Sequence, residues 1–513
     1  MVRISQTSRL LLCFVILFAA FWLKGNLFLD PDFGWRLKTG ELVLTQGIPE
    51  TDPFTYTMPS FPWVDHAWSQ SLLMYIAHSL SGYAGLALVY SLFAVLALWI
   101  TNKRLKLDTV KKLTTPKYFI VFPFFLFVSI LFTFFGVRAQ VLSWLMHGVL
   151  LFILFEPERF KRLRNFLPLF FLFWVNLHGS FASGLATFFL FVIVKAIRER
   201  KIDRGGLIIF FSSILITLIN PYGAGVWREV WSSISDSSLR WTIVEWMPAL
   251  IMLDVAMVVL MGISLALTLR YRKKITLEEK VLYFVFLLQA MASRRHLPLW
   301  ALVAYPITVR GVYFVWLEAK KYKGGVERFR KMNSIAWVFC LIVFFTQSGL
   351  ALHEAYLLGF GDFYPKKAVT FLTRNIPEGE IFSEYGWGGY LVWKLPEKKV
   401  FIDGRMPSWR WKPGDEAELA SAFDTYTGIQ KGEIDYKEVF KKYEVSTVLW
   451  SKAKKETPID KLFSDLEDYL VVFGLEKDDY DFLTDLESNG WKKNYEDNVA
   501  VIYENPDFSK KSE

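Results

Sequence analysis

The chain has 513 residues, of which 53% are hydrophobic and 17% aromatic, and its mean hydropathy is +0.28. This composition excludes an ordinary soluble protein, because apolar runs of membrane-spanning length recur from Leu10 to about Leu350 and then stop. The net charge of +9 does not indicate a nucleic-acid partner, since basic residues of membrane proteins collect in cytoplasmic loops. Cys13 and Cys340 both lie in apolar segments and indicate no disulfide framework.

Hydropathy predicts a polytopic α-helical membrane domain at residues 1–350, with about eleven transmembrane helices. The first apolar run follows Arg3 and Arg9 and therefore also fits a signal peptide. We expect an uncleaved span instead, because the FWLKGN that follows lacks a small-residue cleavage pattern. The spans are expected near residues 9–28, 83–101, 118–135, 139–155, 166–179, 181–197, 206–219, 247–269, 280–293, 297–316 and 334–350.

The distribution of basic residues orients these spans. Loops rich in Lys and Arg fall on one side of the membrane if the spans alternate, and the positive-inside rule assigns that side to the cytoplasm. We therefore expect a multi-pass protein of the cell membrane with a cytoplasmic N-terminus. The loop 29–82, the segment 220–246 and the tail after residue 351 are then extracytoplasmic. The basic loops are residues 102–112, 156–164, 195–201, 269–274 and 318–323.

The tail, residues 351–513, is expected to form a soluble extracytoplasmic α/β domain. Its pattern predicts helices at 368–376 and 465–472 and strands at 398–403, 446–450 and 498–504. The WGGY sequence at 387–390 predicts a glycine-permitted tight turn between a helix and a strand. In IDGR, either Asp403 and Arg405 face a ligand or the Asp-Gly pair is a simple turn.

Polar residues at membrane depth are costly and often functional, and here they concentrate at the outer ends of the predicted spans. Arg138, Arg294 and Arg295 run against the positive-inside bias, and their guanidinium groups suit the oxygens of a lipid phosphate. The alternative is that these arginines reach to the outer headgroups without a specific ligand. The remaining polar residues of this set are Asp30, Asp32, Asp65, His66, Asn176, His178, Asn220, Glu245 and His296.

The motif that opens the first outer loop, LDPDFGWRLKTGE, has two interpretations. Pro31 fixes a turn and Asp32 could cap a helix beginning at Phe33, which requires no catalytic chemistry. Alternatively, a carboxylate just past the first span and facing outer arginines suits a transferase that uses a lipid-linked sugar. Such an enzyme needs a general base for the acceptor and cations for the phosphate leaving group.

Other polar residues also keep two interpretations. Asp65 either caps the next helix or acts with His66 as a proton relay. His178 forms either a buried hydrogen-bonded pair with Asn176 or a substrate contact. No His/Cys spacing predicts a zinc site, and no glycine-rich loop predicts a nucleotide-sugar donor.

This combination of topology, acidic loop motif and outer C-terminal domain resembles the GT-C superfamily of polyprenyl-phosphate-sugar glycosyltransferases. The resemblance implies an inverting membrane enzyme that moves a sugar from a lipid-linked donor to a lipid, glycan or protein acceptor, without a cofactor. It assigns the general base to Asp32, which we prefer, or to Asp30. The phosphate and substrate contacts would then come from Arg138, Arg294, Arg295, His296, Asp65, His66, His178 and Glu245. The motifs that carry the resemblance are DPDFGWRLKTGE, TDPFTYT, WVDHAW, NLHGSFASG, NPYG and SEYGWGGYLVWKLPEKKVFIDGR.

Two alternatives remain open. Oligosaccharyltransferase catalytic subunits also carry an Asp-x-Asp motif after the first span, and they use a lipid diphosphate and a divalent metal. However, EYGWGGY at 384–390 stands where those enzymes have a Trp-Trp-Asp-Tyr-Gly motif. The other alternative is a non-enzymatic transporter of lipid or polysaccharide, or a scaffold. A transporter should carry polar residues through both leaflets, whereas here they crowd at one side.

Overall fold

The computed structural model describes residues 6–105, 121–236, 243, 245–249, 255–359, 363–452, 480–505 and 508. The chain divides into two compact units. The first comprises Met1–Asp30, Val43–Ile48 and Val64–Phe360, and the second comprises Pro31–Leu42, Pro49–Trp63 and Gly361–Glu513. The two aspartates of the opening motif therefore belong to different units.

The first unit is helical. Helix α2 (Phe33–Thr45) is divided between the units: its residues up to Leu42 belong to the second unit and those from Val43 to the first. The helices of the first unit are α1 (Gln6–Leu27), α3 (Trp68–Lys103), α4 (Val121–Phe134), α5 (Ala139–Leu154), α6 (Pro157–Leu163), α7 (Leu167–Leu177), α8 (Phe181–Glu199), α9 (Arg204–Ile216), α10 (Gly225–Ser235), α11 (Val255–Arg270), α12 (Leu277–Ala292), α13 (Leu297–Ala319) and α14 (Gly325–Gly359).

Several of these helices can cross a membrane. Within the described residues, four segments are long and apolar enough: Trp68–Lys103, Phe181–Glu199, Arg294–Ala319 and Gly325–Gly359. The pair Ala139–Leu154 and Pro157–Leu177 meets the criterion together but is bent by 109° at its break. Shorter apolar helices are Leu11–Leu27, Phe124–Phe134, Arg204–Ile216 and Met257–Arg270. The expected multi-pass membrane protein is confirmed, while the number eleven and the orientation remain predictions.

Aromatic side chains fill the space between α7 and α8. Phe171 and Trp174 are fully buried, and their rings stack with centroids 5.7 Å apart. A Cβ on Gly184 would lie 2.3 Å from the Trp174 ring, so glycine is needed for this close approach. The packing fixes the turn between the two helices, which carries His178 and Ser180.

The second unit contains a four-stranded mixed sheet. Its strands β1 (Glu380–Ser383), β2 (Val445–Ser451), β3 (Lys492–Glu496) and β4 (Ala500–Glu504) lie in the order β1-β2-β4-β3. β1 and β2 are parallel, whereas β2–β4 and β3–β4 are antiparallel. The accompanying helices are α15 (Lys366–Arg374), α16 (Gly388–Lys394), α17 (Ala422–Gln430), α18 (Tyr436–Lys442) and α19 (Phe482–Ser488).

The mixed α/β character expected for the tail is confirmed. The predicted strands at 446–450 and 498–504 correspond to β2 and β4, and the predicted helix at 368–376 corresponds to α15. The predicted helix at 465–472 lies outside the described residues.

Two predictions for the tail are wrong. Residues 398–403 form no strand, and only Val400 makes isolated bridges, to Thr55 and Ile381. The residues there are apolar because the segment is buried, not because it is a strand: Phe401 and Ile402 are fully buried. The WGGY sequence begins helix α16 rather than a turn, and Gly389 is needed because a Cβ there would lie 2.2 Å from the Pro31 carbonyl oxygen.

Candidate functional site

Three predicted site residues form one ion-paired cluster in the first unit. The Arg138 guanidinium is paired through Nε with Asp30 and through Nη1 with Glu245. It also lies over the Phe28 ring, 4.8 Å from the centroid. Burial by itself raises the pKa of Glu245, but Arg138 and Arg295 lower it below the ordinary value. Glu245 is therefore held ionised, and we call these three side chains the Asp30 cluster.

Arg295 is positioned beside this cluster by backbone pairing. Its N–H donates to the Glu245 carbonyl at 3.1 Å, and the neighbouring Arg294 N–H donates to Met247 at 3.0 Å. The Arg295 guanidinium stacks over Trp246, 4.8 Å from the ring centroid. The Gln140 amide lies 3.2 Å from Arg295 Nε and, with its oxygen facing that group, accepts from it. Arg295 is thereby oriented by a ring, an amide and the backbone.

Arg295 and Gln140 also line a cavity of about 190 Å³ in the first unit. Three of the chain's six histidines line it, and we call it the histidine-lined cavity. Its wall combines the polar side chains of the histidine-bearing segments with a larger apolar surface that includes Trp144, Val230 and Leu299. The lining includes His66, Gln140, Ser143, Trp144, His178, Ser180, Ser183, Glu229, Ser233, Ile234, Trp246, Arg295 and His296.

Hydrogen bonds fix the tautomer of His178. The Ser180 backbone N–H donates to His178 Nδ1 at 3.2 Å, and Ser143 Oγ lies 2.9 Å from the same nitrogen. Because Nδ1 accepts, the neutral imidazole carries its proton on Nε2 and is a hydrogen-bond donor there. His66 packs against it edge to face, with ring centroids 5.6 Å apart. A Cβ on Gly179 would lie 3.0 Å from the His66 ring, so a larger residue at this position would push the ring away.

Glu229 is a site residue that the sequence analysis missed. It lies on α10, whose Val226 is buried, and it lines the histidine-lined cavity. Burial, with a smaller contribution from Asp65, raises the pKa of Glu229 from 4.5 to about 7. The sequence signal was present as a single acid on the polar side of a short amphipathic helix, GVWREVWSSIS. The carboxyl can thus exchange a proton near neutral pH.

Replacing Glu229 by Gln is expected to raise the melting temperature by a few degrees above pH 7, with no effect near pH 4. The folded protein retains the Glu229 proton between the ordinary pKa of 4.5 and about 7, so wild-type stability falls as pH rises through that window. A shift of this size corresponds to at most about 3 kcal/mol. Thermal unfolding followed by tryptophan fluorescence from pH 4 to 9 tests this. The exposed Glu158→Gln variant is the control, and a Glu229→Gln difference independent of pH would contradict the assignment.

Other predicted site residues have structural bonds instead. The Asp65 carboxylate accepts from the Ala67 N–H at 2.9 Å and from the Ser71 hydroxyl at 3.3 Å, as expected for a carboxylate before α3. Asn176 accepts from the Trp68 indole N–H at 3.0 Å and so ties α3 to α7. The Asn176 bond fits the interhelical interpretation, whereas Asp65 bonds the chain just ahead of α3, whose N-cap is Ala67.

Of the predicted site residues, only His66, His178, Arg295 and His296 line the cavity; Arg294, Asp32, Asp65 and the three side chains of the Asp30 cluster do not. The Arg294 guanidinium lies over the Phe134 ring, 5.5 Å from its centroid. Asp32 belongs to the second unit, immediately before α2, and its Oδ1 accepts from the Trp35 indole N–H at 3.0 Å.

The described residues of the Asp30 cluster do not fit a divalent metal ion. Both carboxylates, Asp30 and Glu245, are ion-paired with the Arg138 guanidinium, which a metal would have to displace. No group of three His, Cys, Asp or Glu side chains within the described part of the chain could hold a metal ion.

The sequence matches no protein-family model and no curated protein. The structure, however, is similar to the archaeal oligosaccharyltransferase AglB from Archaeoglobus fulgidus, solved in complex with an inhibitory peptide and a dolichol-phosphate. The similarity covers 87% of this chain and 70% of that chain, with a TM-score of 0.59 and 11% sequence identity. The chain therefore shares the fold of that oligosaccharyltransferase.

Proposed function

We propose that the protein is a membrane glycosyltransferase that moves a sugar from a polyprenyl-phosphate donor to a lipid, glycan or protein acceptor on the extracytoplasmic side. One observation carries the proposal. Arg295 lines the histidine-lined cavity and, through Gln140 and the Glu245 backbone, adjoins the Asp30 cluster. This juxtaposition of cationic and carboxylate groups occurs in a fold shared with an enzyme that was solved with dolichol-phosphate.

The donor phosphate is assigned to the histidine-lined cavity. Arg295 offers a guanidinium fork, and His178 offers an N–H on Nε2 because its Nδ1 accepts from the backbone. Both stabilise the charge that develops on phosphate as the bond between sugar C1 and phosphate oxygen breaks. A cavity of about 190 Å³ has room for a phosphate but not for a polyprenyl chain.

The lipid tail requires an apolar surface next to the cavity, and α10 supplies one. Ile234 lines the cavity and is 56% exposed, and Trp231 on the same helix is 72% exposed. Exposed apolar side chains with a tryptophan are typical of a helix at the membrane interface. The polyprenyl chain would therefore lie along this side of α10, with the phosphate turned inward.

Asp30 is the general base in this proposal. It takes the proton of the acceptor hydroxyl or amide as that group attacks C1, while the phosphate leaves with the bonding electrons. Its ion pair with Arg138 orients the carboxylate. The single displacement inverts the sugar configuration. Asp32, which the resemblance also implies, remains a second candidate base.

Replacing Arg295 by Gln is expected to weaken donor binding by roughly tenfold to a hundredfold, because a charge-assisted hydrogen bond to the phosphate is lost. Purified protein in lipid vesicles would be given a radiolabelled polyprenyl-phosphate sugar, and transfer to extracted acceptors would be measured. Arg228→Gln, an exposed arginine on α10, is the matched control. Arg294→Gln in the same assay decides whether the neighbouring guanidinium takes part.

The same assay separates the proposal from its alternatives. Transfer that persists in a chelator and requires the monophosphate donor supports the proposal. Transfer that needs a lipid diphosphate, stops in chelator and returns with Mn²⁺ or Mg²⁺ would favour an oligosaccharyltransferase-like enzyme. Absence of transfer from either donor, with wild-type protein that is folded, would rule out both.

A further inference from the structure

A second polar cavity, of about 150 Å³, lies in the first unit at the other ends of the helices that reach the histidine-lined cavity. α3 begins just after His66 and ends at the second cavity with Lys103. α5 begins next to Gln140 and ends close to Phe152. The nearest residues of α5 that line the two cavities, Trp144 and Phe152, are roughly 12 Å apart along the helix axis. The two cavities therefore lie toward opposite ends of the same helix.

The second cavity is rich in cations, and we call it the arginine-lined cavity. Four basic side chains and two carboxylates line it, so positive charge is in excess. The charge of Glu279 is already compensated, because Arg310 forms an ion pair with its Oε1 and the Thr276 N–H donates to its Oε2 at 3.2 Å. The lining residues are Lys103, Arg104, Leu105, Phe152, Phe155, Glu156, Arg159, Glu279, Pro306 and Arg310.

Two of the arginines are held rigidly by aromatic rings. The Arg104 guanidinium lies 4.9 Å from the Phe155 centroid, and that of Arg159 lies 3.4 Å from the Phe152 centroid. Stacking leaves the edges of a guanidinium, which carry its N–H groups, available to bind oxygen. Arg104 Nη1 donates to the Leu302 carbonyl at 2.9 Å. Its Nε is buried and has no hydrogen-bond partner among the described residues, an unfavourable state that an anionic oxygen would relieve.

This end of α3 also has the features of a membrane interface. Trp99 is 42% exposed, and Lys103 one turn later lies over its ring at 5.0 Å. Tryptophan and lysine are typical of the boundary between hydrocarbon and headgroups. The cavity is thus placed at the depth where a headgroup phosphate would be found.

We propose that the arginine-lined cavity binds a phosphate group, carried by an anionic phospholipid headgroup or as free phosphate. Arg104 and Arg159 hold the phosphate oxygens through their guanidinium edges, and Lys103 adds charge at the rim. The site lies apart from the donor cavity, so its binding is independent of the proposed transferase activity.

Ligand-dependent thermal stability of the full chain in detergent tests this proposal. The probes are phosphatidylglycerol, inorganic phosphate and, as a zwitterionic control, phosphatidylcholine. Arg104→Gln and Arg159→Gln are each expected to lower the affinity for the stabilising ligand by about tenfold or more. Arg162→Gln is the matched control, because this exposed arginine lies on the same helix as Arg159 but does not line the cavity. If Arg104→Gln does not fold, the exposed Lys103→Gln replaces it, with a smaller expected loss.

The outcomes separate the two sources of phosphate. Stabilisation by phosphatidylglycerol alone identifies a lipid headgroup, and stabilisation by inorganic phosphate identifies a free anion. A wild-type protein that responds to neither ligand would overturn the proposal. An equal response of the cavity variants and Arg162→Gln would do the same, because it would show general surface attraction.

Discussion

Replacement of Asp30 by Asn is expected to lower the turnover number of sugar transfer by roughly 10²- to 10⁴-fold, the usual contribution of a general base. Asn keeps the shape of the side chain and can still accept from Arg138, but it cannot take a proton. Because the donor phosphate is assigned to the histidine-lined cavity, the KM for the donor should change little. The loss should therefore fall on turnover rather than on binding.

The pH dependence of the reaction distinguishes a base from a residue that only holds Arg138 in place. Wild-type turnover should rise with pH as the base loses its proton, and this rising limb should be absent from Asp30→Asn. Asp32→Asn is the matched variant, since the Asn oxygen can still accept from the Trp35 indole. Loss of turnover in Asp32→Asn alone would assign the general base to Asp32. Full activity in both variants would exclude either aspartate of this motif as the base.

Local features of the chain could be predicted from the sequence because their causes are local. Hydropathy indicates helices that face lipid, and turn-forming residues indicate where they begin. α2 begins at Phe33, directly after Pro31 and Asp32, and α3 begins at Trp68, shortly after Asp65. The strands β2 and β4 were also predictable, since both are short segments rich in β-branched and aromatic residues.

Features that depend on distant pairing could not be predicted in the same way. Arg138 and Glu245 were both flagged as polar residues, but 107 positions separate them and no pattern indicates that they pair with each other. Glu229 lies inside the amphipathic helix α10 and not at the end of an apolar run, so the pattern of polar residues at the ends of the spans does not include it. The strand β3, KKNYE, is mostly exposed and lacks an apolar pattern altogether.

The IDGR sequence illustrates a choice that only tertiary structure resolves. Asp403 and Arg405 were predicted either to face a ligand or to form a simple turn. The turn is present, since the Met406 N–H donates to the Asp403 carbonyl at 3.2 Å, and the two side chains also form part of a buried ion cluster of the second unit. Arg405 Nη2 is 2.7 Å from Asp52 and 2.6 Å from Asp403, and both carboxylate side chains are fully buried. Four aromatic rings surround the guanidinium at 4.6–5.7 Å: Trp35, Phe54, Trp63 and Trp409.

Replacement of Arg405 by Met is consequently expected to destabilise the protein by about 3–5 kcal/mol, the usual cost of leaving buried carboxylates without their cation. Burial by itself lowers the pKa of Arg405, but Asp403 and Asp52 raise it above its ordinary value, so Arg405 keeps its charge in the folded state. Arg410→Met is the matched control. Arg410 pairs with Asp424 at 2.7 Å, but these side chains are 39% and 57% exposed, so its loss should cost about 1 kcal/mol or less.

A triple variant tests whether the cost comes from the unpaired charges rather than from the lost contacts. Arg405→Met combined with Asp52→Asn and Asp403→Asn removes all three charges, and the amide oxygens can still accept the backbone N–H groups of Phe54 and Arg405. It should recover a large part of the melting temperature lost in Arg405→Met, since replacing a whole buried ion cluster is often close to neutral. A triple variant less stable than the single one would instead assign the stability to aromatic packing around the guanidinium.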